Sequence, residues 1–206
     1  MPGEEHYQKA RDRMLSALRK DLNARRMSNL GADAEDGTQI DLPCLSWTVR
    51  FRMEPYEAVV LPEERPARVT WQVLALDYLS SYIPPPADEH ISFTDFPELR
   101  NYHDPFEGRV IRRLEGGVAS EEDSLVEAAR RCGGDRQNND PLIYEFDLFP
   151  LLTLRLVRHP GDEDLDVGCN VLFPDNAVQL LAPESIIVAA ESLVRCLEGS
   201  SPAENE

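Results

Sequence analysis

The sequence predicts an α+β fold: an antiparallel sheet covered by helices, with a long N-terminal helix. Three observations predict it. Between Leu142 and Phe173 three runs alternate apolar and polar residues, which is the period of a half-buried strand. The links between those runs are too short for anything but antiparallel neighbours, because parallel strands need a crossover of about a dozen residues. Two other stretches, Ala67–Tyr82 and Glu184–Leu197, carry apolar residues at helical spacing.

Taken in order, Glu4 to about Leu30 reads as one amphipathic helix. Tyr7, Met14, Leu15, Leu18 and Leu22 form a stripe, and Asn29-Gly31 supplies the stop. Residues 1–31 thus form a basic arm, with seven basic and four acidic side chains in the first thirty positions. Residues 32–198 read as a single α+β domain. Its first strands are Gln39–Leu42, Leu45–Arg52 and Tyr56–Leu61, with Met53-Glu54-Pro55 as a hairpin connection. The helix at Ala67–Tyr82 has apolar residues around most of its circumference and is expected to be central; it stops before Pro84-Pro85-Pro86.

His90–Asp104 is irregular and aromatic. Asp104-Pro105 opens a helix over 106–114, since Pro suits a first turn. Ser120-Glu121-Glu122-Asp123 has the form of a capping box and opens another, closed by Gly133-Gly134. Asp135–Pro141 reads as a polar turn. The core strands follow at about 142–148, 152–158 and 167–173. Pro183-Glu184 starts the last helix, and residues 199–206 are expected to be a disordered tail.

A formal net charge of −17 argues against non-specific nucleic-acid binding, which draws its affinity from Lys and Arg. No run has the roughly 18 apolar residues of a membrane span, and no apolar signal segment is visible at the amino end. A cytoplasmic location is the expectation. Cys44, Cys132, Cys169 and Cys196 stand at least 27 residues apart. No CxxC pair can therefore bring two thiolates to one ion from one turn, and free buried thiols are expected. No motif encodes a recognisable cofactor site: P-loop, Gly-x-Gly after a strand, HExxH and G-x-S-x-G are all missing.

Two places invite chemistry. His103-Asp104, beside Tyr102 and with His90 nearby in sequence, has the residue types of a proton-transfer pair, a histidine and a carboxylate to orient it. Phe93, Phe96, Tyr102 and Phe106 could border an apolar pocket or belong to the core. Asp162, Asp164 and Asp166 alternate on a tight loop, as hard-cation ligands do. The rest of a calcium loop is missing, with Val167 at its sixth position and Phe173 at its twelfth, so no metal is expected there.

The order of features also resembles a prokaryotic family, the domain of unknown function 3786. The likeness is carried by Val69–Leu79, Ile91-Ser92-Phe93, Phe96-Pro97, Tyr102, Phe106, Gly108, Gly133-Gly134, Phe149-Pro150, Gly161-Asp162-Glu163, Asn170–Phe173 and Glu184. It implies no defined activity. Some members are fused to an iron–sulfur segment, which implies a redox or one-carbon setting and, for this chain, an iron–sulfur protein as partner. The likeness falls on polar residues at Asp162 and Glu163, which makes them binding candidates, and the aromatic cluster adds Tyr102 and Phe106 as candidates. Three readings follow. The first is a non-enzymatic binding or accessory domain serving a metabolic or redox partner protein. The second is an enzyme with an acid–base site near residues 90–106. The third is a structural subunit that docks through its basic first helix.

Overall fold

The computed structural model describes residues 4–34, 37–139, 141–161 and 165–204. Helices and two antiparallel sheets make an α+β fold. The first sheet is a meander in the order β1-β2-β3-β4: β1 (Gln39–Cys44), β2 (Trp47–Met53), β3 (Tyr56–Leu61) and β4 (Arg65–Pro66). The second has the order β5-β9-β8-β7-β6: β5 (His90–Ser92), β6 (Asp135–Asn139), β7 (Leu142–Phe149), β8 (Leu152–His159) and β9 (Gly168–Pro174).

Period-two patterning explains the strands. On β7, Leu142, Tyr144, Phe146 and Leu148 are buried, and on β8 Leu152, Leu154 and Leu156. The opposite face carries the cross-strand pair Glu145–Arg155, where Arg155 Nη2 lies 2.6 Å from Glu145 Oε1. In the first sheet Arg50 grips Asp41 directly across the ladder through two hydrogen bonds of 2.8 and 2.6 Å. A register-matched, bidentate pair of this kind holds its strands better than a mobile surface pair.

The strands before residue 62 do not join the sheet built on Leu142–Phe173. Both outer edges of that sheet are taken, by β5 on β9 and by β6 on β7. A hydrogen bond from Leu45 N–H to Asp147 O, 2.9 Å, ties the two sheets, and one continuous set of buried side chains runs through both. β6 corrects the expected polar turn at Asp135–Pro141. Its pairing is through main chain, which needs no apolar side chains at a solvent-facing edge.

The expected long first helix is two: α1 (Glu4–Lys20) and α2 (Ala24–Asn29). Asn23 divides them, its side chain accepting from Arg26 N–H at 3.1 Å as an N-cap. Leu15 and Leu18 are buried, and α1 packs on α3 (Val69–Ser80). Part of the basic charge is used internally. Arg19 bonds Met53 O, and Arg26 Nη2 donates to Leu79 O and Ser81 O at 3.0 and 2.9 Å. A guanidinium there meets the negative end of the α3 dipole.

α4 (His103–Phe106) and α5 (Arg112–Glu115) are joined by a π turn over Glu107–Ile111. α6 (Glu122–Arg131) ends in a Schellman arrangement. Gly133 has φ +76°, and Gly134 N–H donates to Ala129 O at 2.8 Å. The capping box expected at Ser120 is absent, since Ser120 Oγ turns back to Gly117 O at 2.6 Å. A capping box does occur at Ser92–Asp95. A short α7 (Ala177–Leu180) precedes α8 (Pro183–Leu197), whose expected face (Ile186, Ile187, Ala190, Leu193, Val194, Leu197) is buried.

The expected disorder of residues 199–206 is corrected over 199–204. Ala203 bridges Ala67, Arg68 N–H donates to Pro202 O at 2.9 Å, and Glu204 N–H donates to Pro66 O at 2.8 Å. Pro202 and Ala203 are buried. An apolar pair with an unused backbone edge beside it is enough to hold the strap. Residues 205 and 206 lie outside the described residues.

Candidate functional site

Among the described residues, those first marked for chemistry are not gathered into one site. His103 Nδ1 lies 3.9 Å from Asp104 Oδ1, beyond hydrogen-bond length, and both side chains are at least half exposed. His103 stands at the rim of a hollow of about 220 Å³ edged by Phe93, Phe96 and Arg100; Asp104 does not line it. His90 points elsewhere: its Nε2 lies 3.0 Å from Thr153 O, on β8. Tyr102 donates to Glu184 Oε1 at 2.8 Å, and this bond, with a little burial, raises its pKa above the ordinary value. Phe106 is 4% exposed and stacks on Phe93 at 4.0 Å between centroids, with Phe173 tilted beside both. Its ring is core.

Asp162, Glu163 and Asp164 lie outside the described residues, and Asp166 is exposed in coil before β9. Among the described residues no group of three or more His, Cys, Asp or Glu is placed to hold a metal ion. Among the described residues, too, no helix is long and apolar enough to cross a membrane. All four cysteines are free. Burial pushes Cys44 and Cys169 up to about 12 and Cys132 up to about 11, and Cys196 is raised well above its ordinary value. At neutral pH these are thiols, not thiolates, and thus poor nucleophiles.

A cleft lined by several elements lies elsewhere. It measures about 230 Å³ and lies between the start of α3, the second half of α8, the amino-terminal part of α1 and the C-terminal strap. That is smaller than the roughly 300–1,000 Å³ of sites for drug-sized ligands, so an occupant must be small. Trp71 and Val188 supply apolar wall, and Arg68, Glu191, Ser192 and Arg195 supply polar groups. Tyr7 and Ser200-Ser201 close the sides.

Each polar group has a defined state. Glu191 is 8% exposed and paired with Arg109, whose Nη1 lies 3.1 Å from its Oε1. Tyr7 keeps its proton, because burial first and the Glu191 carboxylate second raise its pKa against the opposing pull of Arg195 and Arg109. Arg68 Nε donates to Ala203 O at 2.7 Å. Ser192 is 5% exposed, and its hydroxyl has no hydrogen-bond partner among the described residues. The Arg195 guanidinium is half-buried and has neither an ion pair nor a hydrogen bond among them.

The sequence pattern marks Ala67–Tyr82 as a central helix but does not mark this cleft. Two signals were present. No Ser, Thr, Asp or Asn precedes Val69 to cap α3, and Glu191-Ser192 interrupts an otherwise apolar side of α8.

Fold and cleft together define an α+β protein with a small polar-lined cleft and no assembled acid–base constellation among the described residues. The chain belongs to the family described as Domain of unknown function (DUF3786), whose model matches residues 24–196. No curated protein and no solved structure matches it.

Proposed function

We propose that this protein is a non-enzymatic binding domain that holds a small molecule in the cleft between α3 and α8. The observation that carries the reading is the pair Ser192 and Arg195: two polar side chains that line the cleft and have no protein partner among the described residues. Polar groups with no internal partner at the wall of a cleft are free to hydrogen-bond a ligand that enters it. The acid–base alternative near residues 90–106 has less behind it. Its histidines point to different places, and neither has a carboxylate within hydrogen-bond reach among the described residues. Four free thiols agree with a reducing, cytoplasmic location, which belongs to the same proposal.

The test is a titration of the full chain with small neutral, anionic and cationic metabolites, followed by NMR and thermal shift. At least one class is expected to raise Tm and to move the Ser192 and Trp71 resonances. Ser192→Phe, which fills the cleft, should abolish both effects while leaving a folded spectrum. Ligands that leave those resonances unmoved would sink the reading.

A second reading, an accessory role toward a protein partner, is favoured by one observation. Tyr82 is 89% exposed and Ile83 45%, directly before Pro84-Pro85-Pro86. An exposed aromatic beside a stiff polyproline segment is a common docking element. Tyr82→Ala should remove a stoichiometric partner in pull-down from cell extract without changing Tm. Retention of the partner by that variant would count against it.

A further inference from the structure

We propose that the cleft takes a small organic anion, with its carboxylate or phosphate head on the amino end of α3 and its carbon skeleton against Trp71 and Val188. This rests on the binding reading of the same cleft and adds the ligand's chemical class.

The first support is the start of α3. This twelve-residue helix has no side-chain cap and no acid in its first turn. Arg68 N–H is spent on Pro202 O, and Gln72 N–H is the first to bond back, to Arg68 O at 3.0 Å. The N–H groups of Val69, Thr70 and Trp71 between them have no acceptor among the described residues. All three residues line the cleft. Free N–H groups at the positive end of a helix dipole favour an anion.

The second support is independent of the helix. Ser192 stands on α8, is 5% exposed, and brings an unused hydroxyl into the same space. The third is Arg195, one turn further on. The chain has 38 acidic and 21 basic side chains, so a guanidinium has carboxylates to choose from nearly everywhere. Arg195 takes none of them among the described residues, and it lines the cleft. A planar fork of donors suits a carboxylate or a phosphate, which can accept two parallel hydrogen bonds.

The carboxylate that lines the cleft does not oppose this. Glu191 is held by Arg109 at 3.1 Å, so its charge is already answered. Tyr7 stays protonated beside it and offers another donor. Donors therefore dominate the polar part of the cleft. The apolar part points to an organic ligand instead of a bare inorganic ion.

The experiment is an NMR titration of the full chain with four probes: propionate, inorganic phosphate, propionamide and propylamine. Propionate and propionamide share their shape and differ in charge, and phosphate separates the two kinds of anionic head. Propionate or phosphate is expected to shift the amide signals of Val69, Thr70 and Trp71. Arg195→Gln should weaken that binding by about tenfold or more, and Ser192→Ala by severalfold, the usual yield of a charge-assisted and a neutral hydrogen bond. Arg195→Lys should recover part of the loss, which separates lost charge from lost folding. If propionamide or propylamine moves those signals and neither anion does, the anion assignment is wrong and the binding reading stands. If no probe binds, both fall. Anion binding unaltered in Arg195→Gln and Ser192→Ala would place the anion elsewhere and overturn the proposal.

Discussion

Tyr78→Phe is expected to lower the unfolding free energy by about 2–3 kcal/mol, from the two partners it strands, as read by urea denaturation. The ring itself is not the issue. It is fully buried on α3 and stacks on Phe149, with centroids 4.7 Å apart, and a phenyl ring keeps that contact. What goes is the hydroxyl. It donates to Leu30 O at 2.7 Å and accepts from Leu151 N–H at 3.1 Å. These two bonds join the end of α2 and the β7–β8 turn to α3. The junction leaves no room to adjust, because a Cβ on Gly31, with φ +77°, would run into the side chain of Pro150. Tyr102→Phe is the control. Its hydroxyl meets Glu184 at an exposed site, and losing it should cost under about 1 kcal/mol. Equal losses in the two variants would show that the Tyr78 hydroxyl ties nothing together.

The second large effect is alkaline unfolding. Cys44 is raised from an ordinary value near 9 to about 12, and Cys196 is raised as well, in both cases chiefly by burial. A group whose folded pKa is raised adds stability that is complete below its unfolded pKa. That stability is lost as pH climbs toward the folded pKa, because the unfolded chain releases the proton first. The window here opens near pH 9 and reaches about 12. Within it each such thiol removes about 1.4 kcal/mol per pH unit. For Cys44 this amounts to several kcal/mol across the window, against a total of about 5–15 for a typical domain, and Cys196 acts in the same direction. The urea midpoint should hold steady from pH 7 to 8.5 and then fall steeply. Cys44→Ala should flatten the fall by about 1.4 kcal/mol per pH unit even if it lowers the plateau. A slope that does not change in that variant would mean the Cys44 thiol is not what titrates.

The parts of this fold that were legible in sequence are those where side chains decide. β7, β8 and β9 alternate, and the buried face of α8 recurs at helical spacing, because burial selects those residues. The parts that were not legible are decided by main chain or by chain-distant company. β6 is polar and exposed, yet it pairs because β7 has a free edge. The strap at 199–204 is held through two backbone groups of Pro66–Arg68, the Pro66 carbonyl and the Arg68 N–H. Asn23 breaks the first helix because its side chain offers Arg26 N–H a local acceptor. The capping-box pattern at Ser120 and its actual occurrence at Ser92 show how weak a four-residue signal is when two loops carry similar residues. His103-Asp104 failed as a pair because sequence neighbours on one turn both pointed outward. The cleft was hidden for the opposite reason, since Tyr7, Trp71, Ser192 and Ser201 are brought together only by the tertiary fold.

That assembly has a corollary. The floor of the cleft comes from α3 and α8, within residues 24–196, whereas Tyr7 and Ser200-Ser201 lie outside that span. Two segments, one before the family core and one after it, therefore wall the cleft. On the proposed binding reading, substitutions at Tyr7 or Ser200-Ser201 would change the walls of the cleft without touching a strand of either sheet, so the shape of the cleft and the fold are separately adjustable.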